Sequence, residues 1–232
     1  MNRIKVIGFD ADDTLWVNEP YYQEVEKTFC ELLENYLPTK EISTEFFKTE
    51  MDNLEKYGYG AKGFILSMLE TAIRISDKKI STETIDKIIK LGKTLLEKPI
   101  ELLDDIEYSL NHLKSKYRLV VATKGDLLDQ QRKLNSSGLL HHFHHIEIMH
   151  DKNETEYKKL LKRLDIQSEE FLMVGNSLKS DILPVLSIGG QAIHIPYHTT
   201  WQHETINKDA VNKGYHTISK MKELLNILNY EN

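Results

Sequence analysis

Apolar and polar positions along the chain follow two rhythms. Five short runs, at residues 4–9, 119–122, 145–149, 171–174 and 191–195, are apolar and mostly rich in Val or Ile. They are too short for helices and suit strands buried on both faces. Between the last four runs, and after the fifth, the spacing turns helical, as over 127–135, 155–164 and 218–228. A further helix, over 101–116, leads into the second strand. Strands alternating with helices predict right-handed crossovers and a parallel sheet.

The first connection breaks this rhythm. Residues between the first strand and the helix at 101 carry no convincing strand. Val25, Phe29, Leu32, Leu33 and Tyr36 lie on one face of a helix, as their spacing of three and four requires. Phe46, Phe47, Met51 and Leu54 mark a second helix, Ile65, Met68, Leu69 and Ile73 a third, and Ile85, Ile88, Ile89, Leu95 and Leu96 a fourth. The pattern therefore predicts an α/β core from 1–16 and 100–232, Rossmann-like with about five parallel strands and helices on both faces, and a four-helix domain inserted over 17–99. No internal repeat or low-complexity tract interrupts it.

Composition narrows the class. A chain of 232 residues with 40% apolar and 28% charged positions has enough apolar surface to fold, unlike a disordered one. Its one cysteine, Cys30, excludes an intrachain disulfide and fits a reducing compartment. A net charge of −6 argues against nucleic acid as the main partner, because phosphate backbones call for a basic face. No apolar run is long enough to span a bilayer, and the amino-terminal apolar stretch, broken at Asp10, is too short for a signal peptide. A cytoplasmic protein without a membrane partner is expected.

Parallel sheets place ligands at the carboxyl ends of their strands. Strand one ends in Asp10-Ala11-Asp12-Asp13-Thr14, and strand two in Thr123-Lys124-Gly125-Asp126. Asp151-Lys152 follows strand three, and strand four ends in Gly175-Asn176-Ser177, with Asp181 shortly after. This order resembles the haloacid dehalogenase superfamily of phosphatases. Its Asp-x-Asp-x-Thr motif is matched by Asp10, Asp12 and Thr14, its strand-two hydroxyl by Thr123 and its lysine by Lys152. Its Gly-Asp-x-x-x-Asp motif is matched in part by Gly175-Asn176 and Asp181. The likeness covers nearly the whole chain, and the four-helix insertion sits where the family carries its helical cap.

The resemblance implies a mechanism. Asp10 would be the nucleophile, forming an acyl-phosphate that splits one displacement into two. Asp12 would protonate the leaving alkoxide and then take a proton from water. Thr123, Lys152 and a nearby backbone N–H would hold phosphate oxygens. A Mg²⁺ ion would be held by Asp10, the backbone carbonyl of Asp12 and an acidic position after strand four, so that the metal set reads Asp10, Asp12, Asn176 and Asp181. The substrate implied is a small phosphorylated metabolite, under a cap that closes to exclude water. Members that cleave carbon–halogen bonds need neither Mg²⁺ nor the second aspartate as acid, so Asp12 favours phosphate esters.

One position departs from the family. Asn176 stands where an aspartate is usual, and an amide oxygen brings no charge to a metal. This leaves open a non-catalytic phosphate- or metal-binding regulator on the same fold. Asp13, where the family usually has glycine, reads as loop polarity or a helix cap. Gly92-Lys93-Thr94 echoes a P-loop end but reads as helix, since Lys87 replaces the required glycine. His141, His142, His144 and His145 read as a surface turn with Phe143 packing inward. Cys30 falls on an apolar helix face and reads as core. The stretch from Tyr57 to Gly63 reads equally as a turn or as a loop gripping a leaving group. A receiver domain, phosphorylated after strand three, would need only about 120 residues and is disfavoured by the chain's length.

Overall fold

The computed structural model describes residues 3–206 and 214–228. Among them the chain divides into two compact units, one made of Pro20–Pro99 with Gly125–Asp129, the other of the remainder.

The larger unit is built on a six-stranded parallel sheet: β1 (Val6–Phe9), β2 (Arg118–Lys124), β3 (His145–Met149), β4 (Phe171–Gly175), β5 (Gln191–His194) and the short β6 (His216–Thr217). The spatial order is β3-β2-β1-β4-β5-β6. The chain thus leaves β1 on one side for β2 and β3, then returns to its other side with β4, and the strand order reverses around β1. Such a switch point opens a crevice at the strands' carboxyl ends. Register sets what meets there. Phe9 lies opposite Val121 and Val174, so Asp10 falls beside Gly175 and its N–H reaches the Val174 carbonyl at 2.9 Å.

Alternation along the strands feeds two apolar layers. Ile7, Phe9, Val121, Leu172 and Val174 pack with Ile106, Leu110 and Leu113 of a helix over Ile106–Leu113, and with Leu224 and Leu225 of another over Glu223–Ile227. Val6, Val120, Phe171 and Met173 pack on the other face with Tyr157, Leu160, Leu161 and Leu164 of a helix over Glu154–Leu164.

The smaller unit holds α1 (Glu19–Leu32, entered from the larger unit), α2 (Thr39–Tyr57), α3 (Ala61–Ile75) and α4 (Thr82–Glu97). Val25, Phe29, Leu33, Phe46, Met68 and Ile88 form its core, with Cys30 among them. The apolar spacing places α2's inner face less well. Thr49 and Asn53 are buried and bond Thr71 and Ser67 of α3, at 2.9 and 3.1 Å, which offsets their desolvation. Gly92 is explained by packing, since a Cβ there would lie 2.3 Å from Ile65. The helices following in chain order are α5 (Ile106–Leu113), α6 (Leu127–Ser136), α7 (Glu154–Leu164), α8 (Leu183–Ser187) and α9 (Glu223–Ile227).

Three elements differ from the expected pattern. The helix expected over 101–116 begins only at Ile106, because Leu102 forms an antiparallel bridge with Trp16 and the chain then turns at Asp105, which sits at φ 62°. The helix expected over 218–228 is confined to Glu223–Ile227; Ile218 instead donates its N–H to the His194 carbonyl at 2.9 Å, continuing the β5–β6 pairing. The histidine run is not wholly a surface turn. His142 is buried, and neither ring nitrogen has a hydrogen-bond partner. Burial holds it below the usual imidazole range, with His141 and Lys114 adding to the effect.

Candidate active site

The loop after β1 is one tight turn. The Ala11 carbonyl accepts from Thr14 and Leu15 N–H at 3.2 and 2.8 Å, while Leu15 and Trp16 sink into the core. This puts side chains four apart next to each other. Thr14 Oγ1 lies 3.1 Å from Asp10 Oδ2, and Trp16 Nε1 donates to Asp12 Oδ1 at 2.7 Å. Asp13 sits at φ 60°, in the left-handed region that aspartate tolerates better than most side chains. Its carboxyl accepts from the N–H groups of Asn18 and Glu19 at 2.9–3.1 Å, capping the start of α1. Burial pushes it up to about 7, although those N–H donors pull the other way.

Lys152 is the centre of the site. It precedes Asn153, whose side chain caps α7 by accepting from Thr155 and Glu156 N–H at 3.1 Å. The ammonium is buried and donates to Asp10 Oδ1 and, at 2.6 Å, to Asp181 Oδ1. Lys158, Lys159 and Lys162 are exposed on α7. Asp181 comes from a π-helical turn, Leu178–Ile182, a distortion common at functional sites. Its second oxygen accepts the Ser177 N–H at 2.9 Å. Gly175 is required here, because a Cβ would come 2.3 Å from Asp181 Oδ2.

One ammonium thus faces two carboxyl groups. Burial pushes the Asp10 carboxyl up to about 7, with Asp181 and Asp12 adding to it and Lys152 opposing. Burial alone would lower Lys152, but Asp10 and Asp181 hold it well above the ordinary range. Lys152 therefore stays charged, and the surplus negative charge calls for a proton or a further cation. The neighbouring Asn176 donates its N–H to Thr14 Oγ1 at 3.1 Å, and its Oδ1 lies 3.3 Å from the same hydroxyl. Thr14 has one proton to share between Asp10 and Asn176.

Asp12 and Thr123 are brought together by groups that motif spacing does not reveal. Gln130 Nε2 lies 2.8 Å from Asp12 Oδ2 and 3.1 Å from Thr123 Oγ1. Lys133 donates to both Asp12 oxygens, at 2.7 and 2.9 Å. A further pair, Lys124 and Glu204, closes the rim, with the Ser177 and Ser180 hydroxyls also on Glu204. Burial would raise Glu204, but Lys124 and the two hydroxyls outweigh it and pull it to about 2.

The donors fit a hard cation in kind: carboxylate, amide and backbone oxygens. Among the described residues no group of three or more His, Cys, Asp or Glu converges as a metal cage. The set fits an ion that takes few protein ligands and completes its shell with substrate and water, as Mg²⁺ does. Among the described residues, no helix is long and apolar enough to cross a membrane.

Residues 4–189 match the family of haloacid dehalogenase-like hydrolases. A haloacid dehalogenase-like family hydrolase from Xanthomonas campestris is 34% identical and superposes with a TM-score of 0.88, covering 98% of this chain and 91% of that one. Two proteins named glyceraldehyde 3-phosphate phosphatase are also similar. The one from Pyrococcus furiosus is 23% identical, over 100% of this chain and 96% of its own. The one from Methanothermobacter thermautotrophicus is 26% identical, over 96% of this chain and 100% of its own.

Proposed function

The chain belongs to the haloacid dehalogenase-like hydrolases, and on that premise we propose that it is a Mg²⁺-dependent phosphatase of a small phosphorylated metabolite, working through an aspartyl-phosphate on Asp10. The observation that carries this reading is the Asp10 carboxylate held between Lys152 and Thr14 at the carboxyl edge of β1. A buried carboxylate with an oriented ammonium beside it is placed to meet an anion, despite the chain's net charge of −6.

Lys152 and the Thr123 hydroxyl orient phosphate oxygens. An Asp10 oxygen attacks phosphorus, the bond to the ester oxygen breaks, and Asp12 gives that oxygen its proton. Asp12 then takes a proton from water, which attacks phosphorus. The bond to Asp10 breaks, releasing phosphate and restoring the carboxylate. Mg²⁺, when bound by Asp10, Asp181, the Asp12 carbonyl and the Asn176 amide oxygen, supplies neutralising charge for the transferred group. Asn176 makes that binding weaker than a third carboxylate would. The four-helix unit is the cap over 17–99 that we assign to substrate choice, and the Tyr57–Gly63 stretch is its candidate recognition loop. Glyceraldehyde 3-phosphate heads the substrate panel, because two relatives carry its name.

The test is phosphate release from a panel of phosphorylated metabolites and a generic aryl phosphate near neutral pH, with Mg²⁺ and with chelator. Hydrolysis that needs Mg²⁺ and vanishes in Asp10→Asn supports the reading. Undiminished activity in Asp10→Asn would falsify the nucleophile.

A further inference from the structure

The buried face of α6 is mostly polar, although Leu134 packs in the apolar core from it. Leu127 and Leu128 are 59% and 67% exposed, whereas Asp129, Gln130 and Lys133 are buried. An apolar side chain would fill Lys133's place without the cost of desolvating an ammonium. Packing therefore does not account for the lysine.

Its contacts do. Lys133 Nζ reaches both Asp12 oxygens and, at 3.0 Å, Asn18 Oδ1. Gln130, one turn earlier, takes Asp12 Oδ2, and Trp16 takes Oδ1. Both oxygens of Asp12 are thus held by two donors each, which fixes the plane of the carboxyl group. The Gln130 amide also contacts Thr123 Oγ1, so one side chain ties Asp12 to the strand-two hydroxyl.

We propose that Lys133, with Gln130 beside it, is the positioning residue of Asp12, setting where the acid–base carboxyl stands relative to the leaving group. This rests on the phosphatase reading, in which Asp12 exchanges a proton with the substrate's ester oxygen. Lys133 touches neither substrate nor phosphate; it acts through Asp12. Its loss should therefore be felt where proton donation matters, with an alkoxide leaving group, and little where the leaving group departs unaided.

The experiment compares Lys133→Met, Lys133→Arg, Asp12→Asn and the Asp12→Asn/Lys133→Met double variant on an alkyl phosphate and on an activated nitroaryl phosphate. Lys133→Met should lower kcat on the alkyl phosphate by about tenfold or more and on the aryl phosphate by under about threefold, with KM nearly unchanged. Lys133→Arg should restore most of the loss, and the double variant should be no slower than Asp12→Asn alone. Equal losses on both substrates, or losses that multiply in the double variant, overturn the proposal. A readout independent of turnover is the Trp16 indole N–H resonance, assigned with Trp16→Phe, because that group is bonded to Asp12. It should move in Lys133→Met and stay near its wild-type position in Lys133→Arg. An unmoved signal in Lys133→Met overturns the proposal. A moved signal in a protein that cleaves no phosphate ester upholds the positioning of Asp12 and refutes the phosphatase reading instead.

Discussion

Replacing Lys152 with methionine removes the one ammonium between Asp10 and Asp181 while keeping nearly its volume. Its side chain is 2% exposed, against 9% for Asp10 and 1% for Asp181, so water cannot take its place without rearrangement. Removing one partner of a buried pair costs about 3–5 kcal/mol. At about 2–4 °C per kcal/mol for a chain of this size, the melting temperature should fall by about 10 °C. The loss should depend on pH, with a definite sign. Asp10 is raised in the folded protein, to about 7 from 3.8, so its share of stability is present below 3.8 and is lost as pH rises through about 7. Lys152 is the influence that holds it down. Without the ammonium the folded value moves higher, and the gap between variant and wild type should widen from pH 5 to pH 8. Urea denaturation midpoints at those two pH values measure it. A difference below about 1 kcal/mol at pH 8, or one that shrinks with rising pH, would refute Lys152 as the site's counter-charge.

Three further outcomes follow from the same geometry. Gly175→Ala should displace Asp181, whose Oδ2 stands 2.3 Å from the added carbon, breaking charge-assisted bonds to Lys152 and Ser177 at a cost of about 3 kcal/mol and abolishing turnover; a fully active, equally stable variant would show that Asp181 can move freely. Glu204 is lowered to about 2 from 4.5, so its contribution of about 3 kcal/mol is present above pH 4.5 and lost as pH falls towards 2; Glu204→Gln should flatten the acid limb of a stability–pH curve, and an unchanged limb would place the acid sensitivity elsewhere. Asn176→Asp should lower the Mg²⁺ concentration for half activity while lowering melting temperature in chelator, through added negative charge near Asp10. An unchanged Mg²⁺ requirement would remove Asn176 from the ligand set.

Much of the core was legible because parallel strands buried on both faces are nearly all apolar, so runs ending in Phe9 and Val174 announce themselves. Each run stops where polar residues begin, which is also where the topology gathers chemistry. Asp10 and Thr14 were readable from their spacing, and Lys152 from its place after β3. What stayed hidden depends on distance in sequence. Lys133 and Asp12 are 121 residues apart, and Lys124 and Glu204 are 80 apart; no local period announces such pairs. One signal was available for α6: Gln130 and Lys133 fall on the same side of the helix as Leu134, which packs in the core, so two long polar side chains had to be buried with it. The start of α5 was misplaced because local propensity does not see Leu102 pairing with Trp16. The end of the second unit's territory was also unreadable. The stretch 125–129 lies with it because Lys62 pairs with Asp126 at 3.0 Å, and a Cβ on Gly60 would come 2.9 Å from the Asp126 nitrogen.

The aspartyl-phosphate on Asp10 is tested by quenching the enzyme with acid during turnover of a phosphate ester that it hydrolyses, with Mg²⁺ present, then mapping modified peptides by mass. A phosphoryl group is expected on the peptide carrying Asp10, absent in Asp10→Asn and more abundant in Asp12→Asn if dephosphorylation becomes limiting. A phosphoryl group on another residue, or turnover that continues in Asp10→Asn, would contradict it.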